Sequence, residues 1–204
     1  MNQLLSENIS TFNYKDQISN ERKNVLEPLI QYIQQKVNNG LDINLNFICT
    51  HNSRRSHLSQ VWAQVASSYF NIKNVNTYSA GTEETAVFPK IIEILINTGF
   101  SINKISEGQN PIYAIKYDVN KPAIIAFSKQ LDHSFNPSSN FAAIMTCSQA
   151  DEGCPFIAGA EKRIPITYED PKISDNTEFQ NEIYAQRSKE IATEMFYVFS
   201  NIKV

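Results

Sequence analysis

The sequence predicts an α/β fold: three layers, α/β/α, around a central parallel sheet, with an N-terminal helical extension and a β-hairpin insertion. Three observations lead there. Short apolar runs bounded by turn residues alternate with longer stretches of helical spacing, the pattern of strand–helix–strand units. The run INLNFIC alternates at first and then becomes apolar, and FAAIMT is apolar almost throughout, as buried strands are. Residues 109–138 break the alternation with two extended runs joined near Asn120-Lys121.

The elements follow in order. Residues 1–20 are polar and weakly patterned. From Asn20 to Val37 apolar residues recur at Val25, Leu26, Leu29, Ile30, Ile33 and Val37, one face of a helix that Asn38-Asn39-Gly40 ends. Ile43 to Cys49 reads as a strand. Ser56 to Phe70 is helical, with Leu58, Val61, Trp62, Val65, Ala66 and Tyr69 on one face. Val75 to Ser79 is a short strand closed by Ala80-Gly81. Pro89 to Thr98 is a helix with Gly99 as its C-cap. QNPIYAIKYD and KPAIIAFSKQ form the hairpin. Phe141 to Thr146 and Arg163 to Thr167 are strands. Phe179 to Phe199 is a long helix with Ile183, Tyr184, Ile191, Met195 and Val198 inside. The organisation is an extension over 1–42 and a main domain over 43–204, interrupted by the insertion at 109–138.

Composition narrows the class. The chain has 204 residues, 42% hydrophobic and 19% charged, as a globular protein of one domain with an appendage has. Its net charge of −3 argues against general nucleic-acid binding. No apolar run is long enough to span a bilayer. MNQLLSENISTFNYKDQ lacks a basic start before an apolar core, so no secretory signal is read there and a cytoplasmic location is expected. Three cysteines, Cys49, Cys147 and Cys154, suit reduced thiols better than a disulfide framework. Their spacing lacks the C-x2-C of a zinc site, so neither metal nor cofactor is expected.

Cys49-Thr50-His51-Asn52-Ser53-Arg54-Arg55-Ser56 fits C-x5-R-S between a predicted strand and helix. A loop in that position can curl its backbone N–H groups inward, and the helix N-terminus adds partial positive charge. The field that holds an anion also favours a thiolate, lowering a thiol from about 8.5 to roughly 3.5–7.5. Arg55 closes the ring with a planar fork matched to two oxygens of a tetrahedral oxyanion. Ser56 can donate to the sulfur. Residues 49–55 are therefore the expected anion-binding loop. An acid must protonate a leaving oxygen. Asp170, ahead of Pro171 in TYEDPK, is the candidate, although a turn aspartate before proline would read the same way.

Four segments in order, FICTHNSRRS, YSAGTE, MTCSQADEGCP and YEDP, resemble the low-molecular-weight protein tyrosine phosphatase family, most closely its thioredoxin-coupled arsenate reductase branch. The similarity covers roughly residues 44–200. It implies a Cys49 nucleophile and Asp170 as general acid. For the reductase it implies a relay: Cys147 attacks the Cys49 adduct, and Cys154 resolves the Cys49–Cys147 disulfide for thioredoxin. For the phosphatase it implies that water hydrolyses a thiophosphate on Cys49. The substrate is then arsenate, phosphate or a phosphate monoester. Lys172 and Ile173 follow Pro171 where tyrosine phosphatases usually carry aromatic residues, which favours a small inorganic anion. His51 stands where the family usually has glycine, and Arg54 where it often has cysteine. Arg54 reads as an exposed outer residue more than a second anion clamp, and His57 as a helix-surface residue rather than a base. Asn52 is expected to brace the loop. A protein that binds an oxyanion or a partner without turnover is the third reading.

Overall fold

A computed structural model describes residues 1–153 and 156–204. Its centre is a four-stranded parallel sheet in the order β2-β1-β6-β7, formed by β1 (Ile43–Cys49), β2 (Val75–Gly81), β6 (Phe141–Met145) and β7 (Ala160–Pro165). The chain leaves β1 for β2 on one side and returns to β6 on the other. The carboxyl ends of β1 and β6 therefore flank a topological switch point, where α/β sheets bind ligands. Both β1 neighbours are parallel, so the strand is shielded on each edge and almost wholly buried.

Alternation along β1 separates two cores. Leu45 and Phe47 face the larger one, shared with α2 (Asn20–Asn38), α3 (Arg55–Tyr69), α4 (Pro89–Thr98) and α6 (Gln180–Ser200). Ile48 and Cys49 belong to a small cluster with Ala80, Met145, Cys147 and Ala150, the last on the short helix α5 (Ser148–Gly153). The helical layers are thus unequal, and the thin one lies beside the thiols.

The extension adds α1 (Gln3–Ser10), in residues whose polar sequence gave no helical signal. Its Leu5 and Ile9 are buried in the same large core as Leu26, Leu29 and Ile33 of α2. A Cβ on Gly99 would lie 2.5 Å from the Leu5 backbone nitrogen, and Gly99 has φ +112°, so glycine both caps α4 and admits α1. Arg22 of α2 donates from Nε and Nη2 to both Glu194 oxygens at 2.6 and 2.8 Å, and Lys36 pairs with Glu161 at 2.7 Å. Val25 and Tyr69, expected on inner faces, are exposed, while Ile183 is half-buried.

The expected hairpin is present and larger. β4 (Tyr113–Lys116) pairs antiparallel with β5 (Ile124–Ala126), and β3 (Ser101–Lys104) adds a third strand to β4. β3 escapes the hydrophobic pattern because Ser101, Asn103 and Lys104 are exposed and Ile102 half-buried at a sheet edge. No helix of the described residues is long and apolar enough to cross a membrane.

Candidate active site

The loop from Cys49 to Arg55 joins the end of β1 to the start of α3, and its backbone groups are sorted. Every carbonyl from Cys49 to Ser53 is taken: by Thr82 N, Glu83 N, the Thr85 and Ser128 hydroxyls, His57 Nε2 and Phe88 N respectively. Among the described residues, no amide of residues 50–54 donates to a protein acceptor. The α3 N-terminus has no side-chain cap either. Carbonyls held and amides left as donors make an anion cradle.

Gly81, at the end of β2, lets the surrounding backbone close on that cradle. A Cβ there would lie 2.3 Å from Glu83 O and 2.8 Å from both Asn52 N and Thr50 O. The left-handed turn falls on Asn52, φ +43°, not on His51, so histidine at the glycine position carries no such strain. The exposed His51 ring is 3.4 Å from Glu83.

Asn52 is a hub. Its Nδ2 donates to Ser56 Oγ at 2.9 Å, and its Oδ1 accepts from Lys129 N at 2.9 Å. Ser56 Oγ stands 3.1 Å from Cys49 Sγ. With Asn52 donating to it, the Ser56 hydroxyl proton is free for the sulfur. Cys49 and Ser56 are both buried.

Arg55, 7% exposed, donates from Nη1 to Tyr168 O at 3.0 Å and from Nη2 to Asp170 Oδ2 at 2.6 Å. Its buried Nε has no protein partner among the described residues. Asp170 also accepts from Lys172 N through Oδ1 at 3.0 Å, which fixes the carboxylate at the head of a short 3-10 turn. Thus the structure brings Cys49, Arg55, Ser56 and Asp170 together from two ends of the chain. Arg55 and Asp170 border a cavity of about 460 Å³ whose wall includes Gln149, Tyr168, Arg187 and, from the extension, Arg22.

Arg54 departs from both expectations. It is neither an exposed outer residue nor placed as an anion clamp: Nε donates to Tyr184 OH at 2.6 Å, Nη2 to Asp175 at 2.7 Å, and the guanidinium lies 3.9 Å from the Phe88 ring centroid. Its charge is spent on an ion pair with Asp175 that packs the loop on α6. His57 is also corrected. It is fully buried, with Nε2 2.8 Å from Asn52 O and Nδ1 3.2 Å from Ser79 Oγ. Burial, and then the nearby Lys129, push it down to about 3, so it is neutral.

Cys147, just past β6, is 1% exposed and shares the small apolar cluster with Cys49. Its Sγ is 3.5 Å from the hydroxyl of Thr50, the residue after Cys49, and accepts from Ala150 N at 3.3 Å. Cys154 lies outside the described residues. Among those described, no group of His, Cys, Asp and Glu could hold a metal ion. Sequence reading gave no role to Lys129, Ser79, Ser128 or Gly81: Lys129, Ser128 and Gly81 reach the loop across 29 to 77 residues of chain, and Ser79 reaches His57 across 22. Ser79 and Gly81, both in YSAGTE, were the two with a signal.

No protein-family model matches the chain. An arsenate reductase of Staphylococcus aureus (strain Newman) is 30% identical over 135 residues, covering 66% of this chain and 82% of the relative. The fold is similar to a low molecular weight protein tyrosine phosphatase from T. tengcongensis, with TM-score 0.53 and 15% identity over 79% of this chain and all of the other. It is also similar to an arsenate reductase in the phosphate binding state, with TM-score 0.50 and 16% identity over 79% and 99% of the two chains. With that identity over most of the relative's length, on a shared parallel-sheet fold, the chain belongs to the low-molecular-weight protein tyrosine phosphatase family, on its arsenate reductase branch.

Proposed function

We propose that the protein is an arsenate reductase that works by a thiol relay from Cys49 to Cys147 to Cys154. The observation that carries this reading is the placement of Cys147: a second thiol in the same apolar cluster as Cys49, its sulfur against Thr50. A phosphatase needs no second thiol there. Lys172 and Ile173 after Pro171 give no aromatic clamp for a tyrosine ring.

In the first step the Cys49 thiolate attacks arsenic. An As–S bond forms, and an arsenate oxygen leaves as water after protonation, with Asp170 as the proton donor. The free amides of residues 50–54 and Arg55 hold the remaining oxygens. In the second step the Cys147 thiolate attacks Cys49 Sγ. An S–S bond forms, the As–S pair stays on arsenic, and arsenic passes from the +5 to the +3 state as arsenite leaves. Cys154 then attacks Cys147, releasing the Cys49 thiolate, and a dithiol protein of the thioredoxin kind reduces the last disulfide.

The phosphatase reading shares the first step and is favoured by the Arg55–Asp170 arrangement alone. Assays of thioredoxin-coupled arsenate reduction and of aryl phosphate hydrolysis, on wild type and on Cys49→Ser, Cys147→Ser and Cys154→Ser, separate the two. The reductase loses coupled turnover in all three variants. Full arsenate turnover in Cys147→Ser would sink the relay.

A further inference from the structure

Lys129 is a fully buried lysine on the segment after β5. Among the described residues no carboxylate lies within ion-pair distance of it. Its ammonium has two hydrogen-bond partners, Ser79 Oγ at 3.3 Å and Phe127 O at 3.2 Å, and two rings beside it, Phe127 at 4.6 Å and Phe135 at 5.6 Å. An ammonium buried without a counter-charge costs several kcal/mol. Burial accordingly pushes it down to about 7.

Two paths lead from this residue to the nucleophile, and both pass through Asn52. In the first, the Lys129 backbone N–H donates to Asn52 Oδ1, Asn52 Nδ2 donates to Ser56 Oγ, and Ser56 meets the Cys49 sulfur. In the second, the protons can be assigned. Asn52 O can only accept, so His57 Nε2 carries the hydrogen. His57 is neutral, so Nδ1 is a lone pair and Ser79 donates to it. Ser79 Oγ in turn accepts from Lys129 Nζ. Every donor in the chain Lys129–Ser79–His57–Asn52 points the same way, toward the loop. From α3 the titratable group facing Lys129 is His57; from β2 it is met by Ser79, and from its own segment by the two phenylalanines.

We propose that Lys129 is a positioning residue for the Cys49 nucleophile: its buried ammonium, acting through Ser79 and His57, steadies Asn52 in the left-handed turn and supplies the uncompensated positive charge that a thiolate or a bound oxyanion balances. This rests on Cys49 being the nucleophile and is indifferent to whether water or Cys147 attacks next.

The test is Lys129→Met, with Lys129→Arg as the conservative variant and Ser79→Ala as a change that keeps the ammonium and cuts only its link to His57. Alkylation of Cys49 by iodoacetamide is followed against pH, with Cys147 and Cys154 labelling resolved by peptide mass, and inorganic phosphate binding is titrated. In Lys129→Met the midpoint of Cys49 alkylation rises by about one pH unit, a tenfold smaller thiolate fraction at low pH. Phosphate binds roughly tenfold more weakly, or 1.4 kcal/mol. Lys129→Arg recovers part of both, and Ser79→Ala moves both in the same direction by less. A folded Lys129→Met with wild-type midpoint and phosphate affinity overturns the proposal. Should that variant not fold, wild-type values in Ser79→Ala overturn it instead. Alkylation is read without turnover, so these outcomes leave the role of Cys49 untouched; that role fails separately, if Cys49→Ser keeps activity.

Discussion

Arg55 Nη2 donates to Asp170 Oδ2 across 2.6 Å, joining the last residue of the 49–55 loop to a carboxylate 115 residues further along the chain. The same guanidinium holds Tyr168 O, so the acid loop is fixed at two points two residues apart. In the proposed mechanism one side chain therefore sets both anion capture and proton delivery.

Replacing Asp170 with asparagine keeps the shape and removes the proton donor. Aryl phosphate hydrolysis falls by about 10²–10⁴-fold, the range of general acid catalysis. Phosphate affinity does not weaken, because the Arg55 fork loses a competitor for its charge. Steady-state kinetics and a phosphate titration on the same variant check both. A loss of phosphate binding equal to the loss of rate would show that Asp170 only builds the loop.

Gly81→Ala tests the closeness of the cradle. The new Cβ would stand 2.3 Å from Glu83 O and 2.8 Å from two loop atoms, all backbone, so the loop must shift. Overpacking of this kind costs about 1–3 kcal/mol. Both the urea midpoint and phosphate affinity drop. A variant that is destabilised but binds phosphate as wild type does would show that the strain is relieved away from residues 50–52.

Much of this was readable from residue order. The C-x5-R-S stretch announces itself because an apolar run ends in a thiol, with an arginine and a helix start inside the eight residues that the thiol begins, and all their chemistry is local. Gly99 was readable for the same reason. His57 was not. In HLSQVW it occupies what looks like a polar face, but α3 is enclosed by β1, β2, β5 and α6, so Ser56, His57, Ser59 and Gln60 are all buried. Their partners, Ser79 and Asn52 for His57 and Thr77 for Gln60, come from turns and from another strand, which periodicity cannot see. Arg54 failed likewise, its partners lying 121 and 130 residues away. Lys129 sits in an extended run that reads as one arm of the hairpin, and it is fully buried where the next residue, Gln130, pairs beside Gly81 of β2.

The depressed His57 gives the protein an acid limit. An unfolded histidine takes a proton near 6.5, whereas the native one does so only near 3. Between those values the unfolded chain binds the extra proton, so stability falls with falling pH by up to ~1.4 kcal/mol per unit, and is fully retained above 6.5. His57→Gln removes this slope. Urea unfolding at several pH values between 7.5 and 4 reads it; parallel profiles for wild type and variant would refute a buried neutral histidine.

The Arg54 network is a stability device. Tyr184 OH accepts from Arg54 at 2.6 Å and donates to Asp175 at 2.5 Å, closing a triangle on α6. Burial pushes the Tyr184 phenol up, so it stays a donor. Tyr184→Phe deletes two hydrogen bonds, each involving a charged group, at roughly 1.5–3 kcal/mol apiece before relaxation. A fall of several degrees in Tm is expected, at about 2–4 °C per kcal/mol for a chain of this size. Phosphate affinity changes little, since the Arg54 side chain points to Tyr184 and Asp175 rather than into the cradle. A large loss of affinity without loss of Tm would return Arg54 to the anion site.

The relay makes a covalent prediction. β1 and β6 are neighbours in register, Ile48 opposite Met145, so Cys147 lies one strand across and about one residue beyond Cys49. A disulfide needs Cα atoms roughly 4.4–6.8 Å apart, and the apolar cluster that the two residues share is the setting in which the two thiols would meet that requirement. In Cys154→Ser the third thiol is missing, so one equivalent of arsenate without reductant should convert the protein to a Cys49–Cys147 disulfide and release one arsenite. Peptide mapping finds the cross-link, and one equivalent of a small-molecule dithiol restores the free thiols for a single further turnover, whereas thioredoxin does not. In Cys147→Ser the same treatment yields no disulfide and no arsenite, while aryl phosphate hydrolysis persists because Cys49, Arg55 and Asp170 are intact. Arsenite from Cys147→Ser at the wild-type rate would mean that another thiol attacks second, and the placement of Cys147 beside Thr50 would then be packing alone.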